Sequence, residues 1–280
     1  MPNIIVPELT EIEIAEIKEQ AAAKLGICKK QNDIIGQQIF SILSLHARVI
    51  YYPFGKKSVW GFTRINGTGM QKPEDKPFVV INSSIPEDCQ VFAAAHELYH
   101  IWYDKQAEIV KADIIDESAT DRNELKANRF AAEFLVEQDL LFKEMGLYSI
   151  ARDNITIKDI LRLSELFTVP YQTMVKRLCE TGVFAKKEQD RFLSKTDKDV
   201  LAARKRFAIP VPQADERIAI DTLTDLSVDA YEKHLISYEK LEYLLSISNL
   251  TPSDIGIGEP QSNPFPSDDE LSEIMEGEPC

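Results

Sequence analysis

The stretch from Val91 to Trp102, VFAAAHELYHIW, constrains the fold more than any other part of the chain. It is apolar almost throughout and rich in alanine, which suits a helix buried in a core. Yet it carries His96, Glu97 and His100. Polar groups in such a helix cost desolvation unless something satisfies them. Positions four apart share one helix face, so the two imidazoles converge on one point. That point suits metal–nitrogen bonds of about 2 Å. Glu97 lies next to His96, beside a metal ion rather than on it, where it can take a proton from an attacking water. The chain has four histidines, and by composition His-Glu-x-x-His arises by chance on the order of once in two hundred such chains. A histidine pair satisfied by the core alone is the weaker account.

A catalytic zinc takes three protein ligands and keeps one position open. His46 precedes the strands and His234 lies far downstream, which leaves a carboxylate as third ligand. The next strong helix is expected from about Asp121 to Glu137. Glu124 and Asn128 share one of its faces, and Ala127 and Ala131 on the same side would let it approach the first helix closely. The spacing points to Glu124 as ligand. Asn128 is placed to accept a hydrogen bond from a ligand imidazole and fix its tautomer. One zinc ion per chain is expected. No substrate-binding residue can be named.

Elsewhere, residues 8–26 read as a polar helix ending near Gly26, and 33–48 as a second helix. Three short β-branched and aromatic runs follow, at 49–52, 59–63 and 78–82, punctuated by Gly55, Asn66-Gly67 and Pro73. They predict a small antiparallel sheet. Ser84-Ile85-Pro86-Glu87 has the shape of a capping box, and residues 105–120 read as a charged connector. From Ile157 to Phe184 two short helices flank a turn at Val169-Pro170, a spacing like a helix-turn-helix. Local charge there is nearly balanced, which favours a helical hairpin packed on the sheet over DNA binding. Residues 186–206 are basic but interrupted by acids, as on a solvated face. A helical segment covers Tyr231–Leu250. Beyond Thr251 the chain is acidic and proline-rich, a composition that favours disorder.

The expected fold is α+β, a small antiparallel sheet packed on zinc-binding helices. The expected division is an N-terminal helical segment (1–34), a zinc-binding core (35–150), a helix-turn-helix-like pair (151–185), a helical extension (186–250) and the acidic tail (251–280). The formal net charge of −14 over 280 residues repels nucleic acid and anionic membranes, so direct nucleic-acid binding is not expected. No apolar run is long enough to span a bilayer, and the first residues lack the order of a signal peptide. Four dispersed cysteines without a C-x-x-C pair read as thiols of a reducing cytoplasm.

His96–His100, followed by Glu124-x-x-Ala127-Asn128-x-Phe130-Ala131-Ala132, resembles the ImmA/IrrE family of metallo-endopeptidases. So do the lead-in Val80-Ile81-Asn82-Ser83 and the later Val169-Pro170-Tyr171-x-x-Met174-Val175-x-Arg177-Leu178. The resemblance covers about residues 35–185. It implies zinc held by His96, His100 and Glu124, with Glu97 as base. Two departures stand out: Tyr99 replaces the family's glycine, and Asn128 stands where many gluzincin peptidases have aspartate. The resemblance further implies a cytoplasmic endopeptidase that cleaves a repressor-like, DNA-binding regulator in phage, mobile-element or stress regulation. Two alternatives are a non-catalytic zinc-binding transcription regulator and an interaction module of a toxin–antitoxin or phage system. Tyr99, Tyr103 and Tyr148 are candidates for stabilising the oxyanion, and the Phe78–Ser83 strand for accepting substrate backbone as an added strand.

Overall fold

The computed structural model describes residues 8–64, 76–104, 110–112 (backbone only), 122–220 and 222–259. The Asn66-Gly67 pair, Pro73, most of the 105–120 connector and residues 260–280 lie outside the described residues. The chain divides into two units, 1–221 and 222–280.

The first unit begins with α1 (Glu11–Ile27), capped by Thr10 and Glu13 in a reciprocal box. Its stripe Ile17, Ala21 and Leu25 is buried, whereas Ile12 is exposed. Then come α2 (Gln38–His46) and the strands β1 (Arg48–Tyr52), β2 (Gly61–Arg64) and β3 (Phe78–Asn82). After α3 (Glu87–Tyr103), β4 (Val110–Ala112) lies inside the stretch read as a connector. Together with β5 (Ala219–Ile220) these strands form one sheet, in the order β4-β2-β3-β1-β5.

Pairing corrects one expectation. β2 runs antiparallel to β3 and β4, and β5 antiparallel to β1, but β1 and β3 are parallel, with Arg48 opposite Phe78 and Tyr52 opposite Asn82. The sheet is therefore mixed. Parallel neighbours need a long crossover, and residues 53–77 supply it, with β2 inside. Asn82 fastens the start of that crossover. Its Nδ2 donates to Gly55 O and Val59 O at 3.0 and 2.9 Å, and its Oδ1 accepts from Phe54 N and Ser84 N at 3.2 and 2.9 Å. A fully buried asparagine thus has its donors and acceptor satisfied. β3 is paired on both sides, so it has no free edge on which to accept a substrate strand.

α3 is buried on nearly every side, from Asp88 to His100. It packs on β2, β3, α2 and α4 (Arg122–Leu135). The expected capping box at its start does not form: Pro86 is the N-cap, and Ser84 Oγ instead accepts from Gly55 N at 3.1 Å. Ala127 and Ala131 are fully buried and keep α4 close to α3. Phe130 and Phe134 stack at 5.5 Å and meet the edge of Trp102.

Next follow α5 (Gln138–Leu147), which the sequence reading left unassigned, a 3-10 turn at Arg152–Asn154, α6 (Ile157–Phe167) and α7 (Tyr171–Glu180). α6 ends on Thr168, whose left-handed φ of 53° turns the chain toward α7. Buried Arg177 of α7 donates to Val136 O at 2.8 Å and pairs with Glu133, tying α7 to α4. After α8 (Lys186–Leu193) and α9 (Asp197–Arg206), a turn at 207–208 and an irregular stretch lead to β5. Glu216 N donates to Ser83 O at 3.0 Å, and Arg217 lies 3.6 Å over the Tyr51 ring. Arg204, one of the basic residues read as solvated, is buried and donates to Ser164 Oγ and Pro210 O.

In the second unit α10 (Leu223–Glu232) and α11 (Tyr238–Ser246) pack on each other. The tail expected from Thr251 opens on a capped 3-10 turn, Pro252–Ile255, in which Thr251 and Asp254 form a reciprocal box.

Candidate metal centre

α3 and α4 bring three donor atoms together. His96 Nε2 lies 3.0 Å from His100 Nε2 and 3.1 Å from Glu124 Oε2, and His100 Nε2 lies 3.5 Å from Glu124 Oε1. A tetrahedral ion with bonds of about 2 Å holds its ligand atoms a little over 3 Å apart. The cluster has that size. It is also the group of histidine and carboxylate donors within one ion's reach among the described residues. Both histidine side chains are almost wholly buried, at 2% and 0% exposure, while Glu124 is 15% exposed.

The outward-facing nitrogens are held as ligand imidazoles require. His96 Nδ1 meets Asn128 Oδ1 at 2.9 Å. His100 Nδ1 meets Asp104 Oδ2 at 3.4 Å, and Asn123 Nδ2 in turn donates to Asp104 at 3.3 Å. Each acceptor favours an N–H at Nδ1, which leaves Nε2 free to face the ion.

The electrostatics fit a cation. Burial and the neighbouring His96 push His100 down to about 2, so its ring is neutral. Burial also acts to lower His96, but the hydrogen bond to Glu124 and the charge of Glu97 outweigh it and raise its value. A positive charge between these groups is therefore favoured. Two nitrogens and a carboxylate converging on one buried point are a donor set that a divalent ion fits.

Glu97 is fully buried on the neighbouring position of α3. Its Oε2 accepts from Thr63 Oγ1 at 2.6 Å, and Oε1 has no hydrogen-bond partner among the described residues. Burial pushes its carboxyl up to about 7, against the opposing pull of His96 and of the Thr63 hydrogen bond.

Every site residue named from the sequence thus lies at this cluster or against it: His96, His100 and Glu124 at its centre, Glu97 and Asn128 beside it. Thr63 and Asp104 were missed. Asp104 was within reach, since it stands four residues after His100 on the same helix face. The tyrosines fare differently. Tyr99 packs among Tyr103 and Phe130, where burial pushes its hydroxyl up to about 12. Tyr103 donates to Gln20 O at 3.3 Å. Tyr148 caps the end of α5, about half exposed.

A sheet backed by a buried helix with His-Glu-x-x-His, and a second helix delivering a glutamate to both histidines, define a metallopeptidase. The comparison with known families gives the particular group. Residues 44–179 match the Peptidase_M78 family, the IrrE N-terminal-like domain, and over that span the chain belongs to the ImmA/IrrE metallopeptidases. As a peptidase it acts on protein substrates. No curated protein matches the chain. Among the described residues no helix is long and apolar enough to cross a membrane.

Proposed function

We propose that the chain is a zinc-dependent endopeptidase that cleaves a repressor-like, DNA-binding regulator in the cytoplasm, as a part of phage, mobile-element or stress regulation. The observation that carries the zinc and the chemistry is the convergence of His96, His100 and Glu124 within one ion's reach, with Glu97 buried beside them. The regulatory substrate and its setting rest on likeness to the ImmA/IrrE group.

His96, His100 and Glu124 would hold one zinc ion. When bound, zinc supplies a Lewis acid that polarises the scissile carbonyl and acidifies the attacking water. Asn128 and Asp104 fix the two imidazoles in the tautomer that binds. Glu97 takes the proton of the attacking water and then gives it to the leaving amine. A carboxyl near 7 suits both halves of that exchange at neutral pH. In the proposed division residues 35–150 form the peptidase core and 1–34 brace it, with 151–185, 186–250 and 251–280 as later segments. Against the transcription-regulator alternative, α7 buries Tyr171, Thr173, Met174, Val175, Arg177 and Leu178 of its ten residues, which suits packing better than groove reading.

The test is Glu97→Gln. The nearly isosteric amide cannot take the proton, and loss of a general base costs about 10²–10⁴ in rate. The substituted protein should keep its zinc, lose cleavage and enrich a regulator in pull-downs that the parent protein cuts, with products read by mass spectrometry. Full cellular function of Glu97→Gln, with failure of the His96 or His100 variants, would instead make the site a scaffold or sensor.

A further inference from the structure

The proposed base sits on α3, but what orients it sits on β2. Thr63 is fully buried, and its hydroxyl donates to Glu97 Oε2 at 2.6 Å. Gly61, two residues earlier on the same face of the strand, presents no side chain to the other oxygen. A Cβ there would come within 3.3 Å of Glu97 Oε1 and 2.9 Å of Val80 O. Oε1 is buried without a partner among the described residues, an arrangement that costs free energy unless the atom has work to do. The two oxygens are therefore unequal: one is anchored to the sheet and one is left open.

We propose that Thr63 is a positioning residue for the reaction. It fixes Oε2 of Glu97 and so leaves Oε1 as the oxygen that meets the proton of the attacking water. This rests on the reading of Glu97 as the base. The terminal torsion of a glutamate is broad and poorly fixed by its own rotamer preferences. A hydroxyl on a different element supplies the missing restraint. Threonine suits the task because a β-branched side chain on a strand has a restricted χ1, which holds Oγ1 in one place. β2 is itself held on both sides, by β3 and β4.

The test uses the zinc-loaded full chain and a proteome-derived peptide library, with products read by mass spectrometry and rates then measured on one cleaved peptide. Thr63→Val keeps the shape and removes the hydroxyl. Small misplacements of a catalytic group cost up to about 10² in rate, so kcat should fall roughly 10- to 100-fold. KM and zinc content, measured separately, should not change. Thr63→Ser should restore kcat to near the parent value. In the Glu97→Gln background Thr63→Val should have no further effect, because Thr63 acts only through Glu97. If the valine protein does not fold, Thr63→Ala is read in the same way. An unchanged kcat, a loss that serine does not rescue, an equal loss in the Glu97→Gln background, or loss of zinc would each overturn the proposal. Failure of the underlying reading looks different: Glu97→Gln itself would then cleave at the parent rate.

Discussion

Two of the atoms that meet between α3 and α4 are imidazole nitrogens 3.0 Å apart, a spacing that suits a positive charge between them. The neighbouring carboxylates of Glu124 and Glu97 favour that positive charge, and a divalent ion supplies it with fixed geometry. The partners of the far nitrogens then decide how well the ligands are held. Removing such a partner typically costs about 10–100-fold in metal affinity. Asn128→Ala should therefore weaken zinc binding by about that factor in a chelator competition, while Asn128→Asp, which still offers an acceptor, should not. Equal affinity in Asn128→Ala would remove its orienting role. His96 with His100, and Glu124 with Asn128, were legible because four-residue spacing puts each pair on one helix face, and Glu97 because it adjoins His96. Thr63 was not, because it reaches Glu97 across 34 residues through the stacking of β2 on α3, which no local pattern encodes.

α1 shows how an element can look idle in sequence and still support the site. Its glutamates make it a polar helix in sequence. In the structure it packs on α4, the helix that carries Glu124, and buries Ile17 and Leu25. Each such burial contributes roughly 1.5–3 kcal/mol, so apolar contact rather than surface charge dominates the docking. Glu13 adds to it. It binds Arg122 at 2.6 and 2.7 Å and Lys126 at 3.3 Å, and the Arg122 guanidinium holds its carboxyl well below the usual range. A depressed carboxylate stabilises the fold above its unfolded value and loses that contribution as pH falls through its folded value. Glu13→Gln, which can still cap α1, should melt below the parent at neutral pH, and the gap should narrow on acidification. A gap independent of pH would show that the ion pair does not contribute. The sheet teaches a related lesson. Short β-branched and aromatic runs located β1, β2 and β3 within a residue or two, but they mark strands and not neighbours. The parallel β1–β3 pair depends on the crossover fastened by Asn82, and β4 and β5 are too short to leave a pattern.

At the scale of the molecule, the family match ends before the fold does. Residues 44–179 contain the metal cluster, but α1 lies before that span, and β5, Arg204 and the 207–220 strap lie after it. Without them α4 loses one of its two helix partners and β1 becomes an open edge, which invites aggregation. A chain of residues 1–221 should melt cooperatively and bind zinc, whereas 44–179 alone should be protease-sensitive and poorly soluble. A stable, zinc-binding 44–179 fragment would show that the flanking elements are dispensable. The broad α+β class and the two metal helices could be read from apolar periodicity. The strap could not, because its hold comes from backbone hydrogen bonds and the stacking of Arg217 on Tyr51, neither of which has a sequence period. One ion and the residues that hold it decide the chemistry, and zinc stoichiometry by elemental mass spectrometry tests them most directly. The parent and Glu97→Gln proteins should each hold about one zinc per chain after reconstitution, and His96→Ala and His100→Ala should lose most of it. A parent protein that binds no transition metal, or a His96→Ala variant that still holds a full equivalent, would contradict the account.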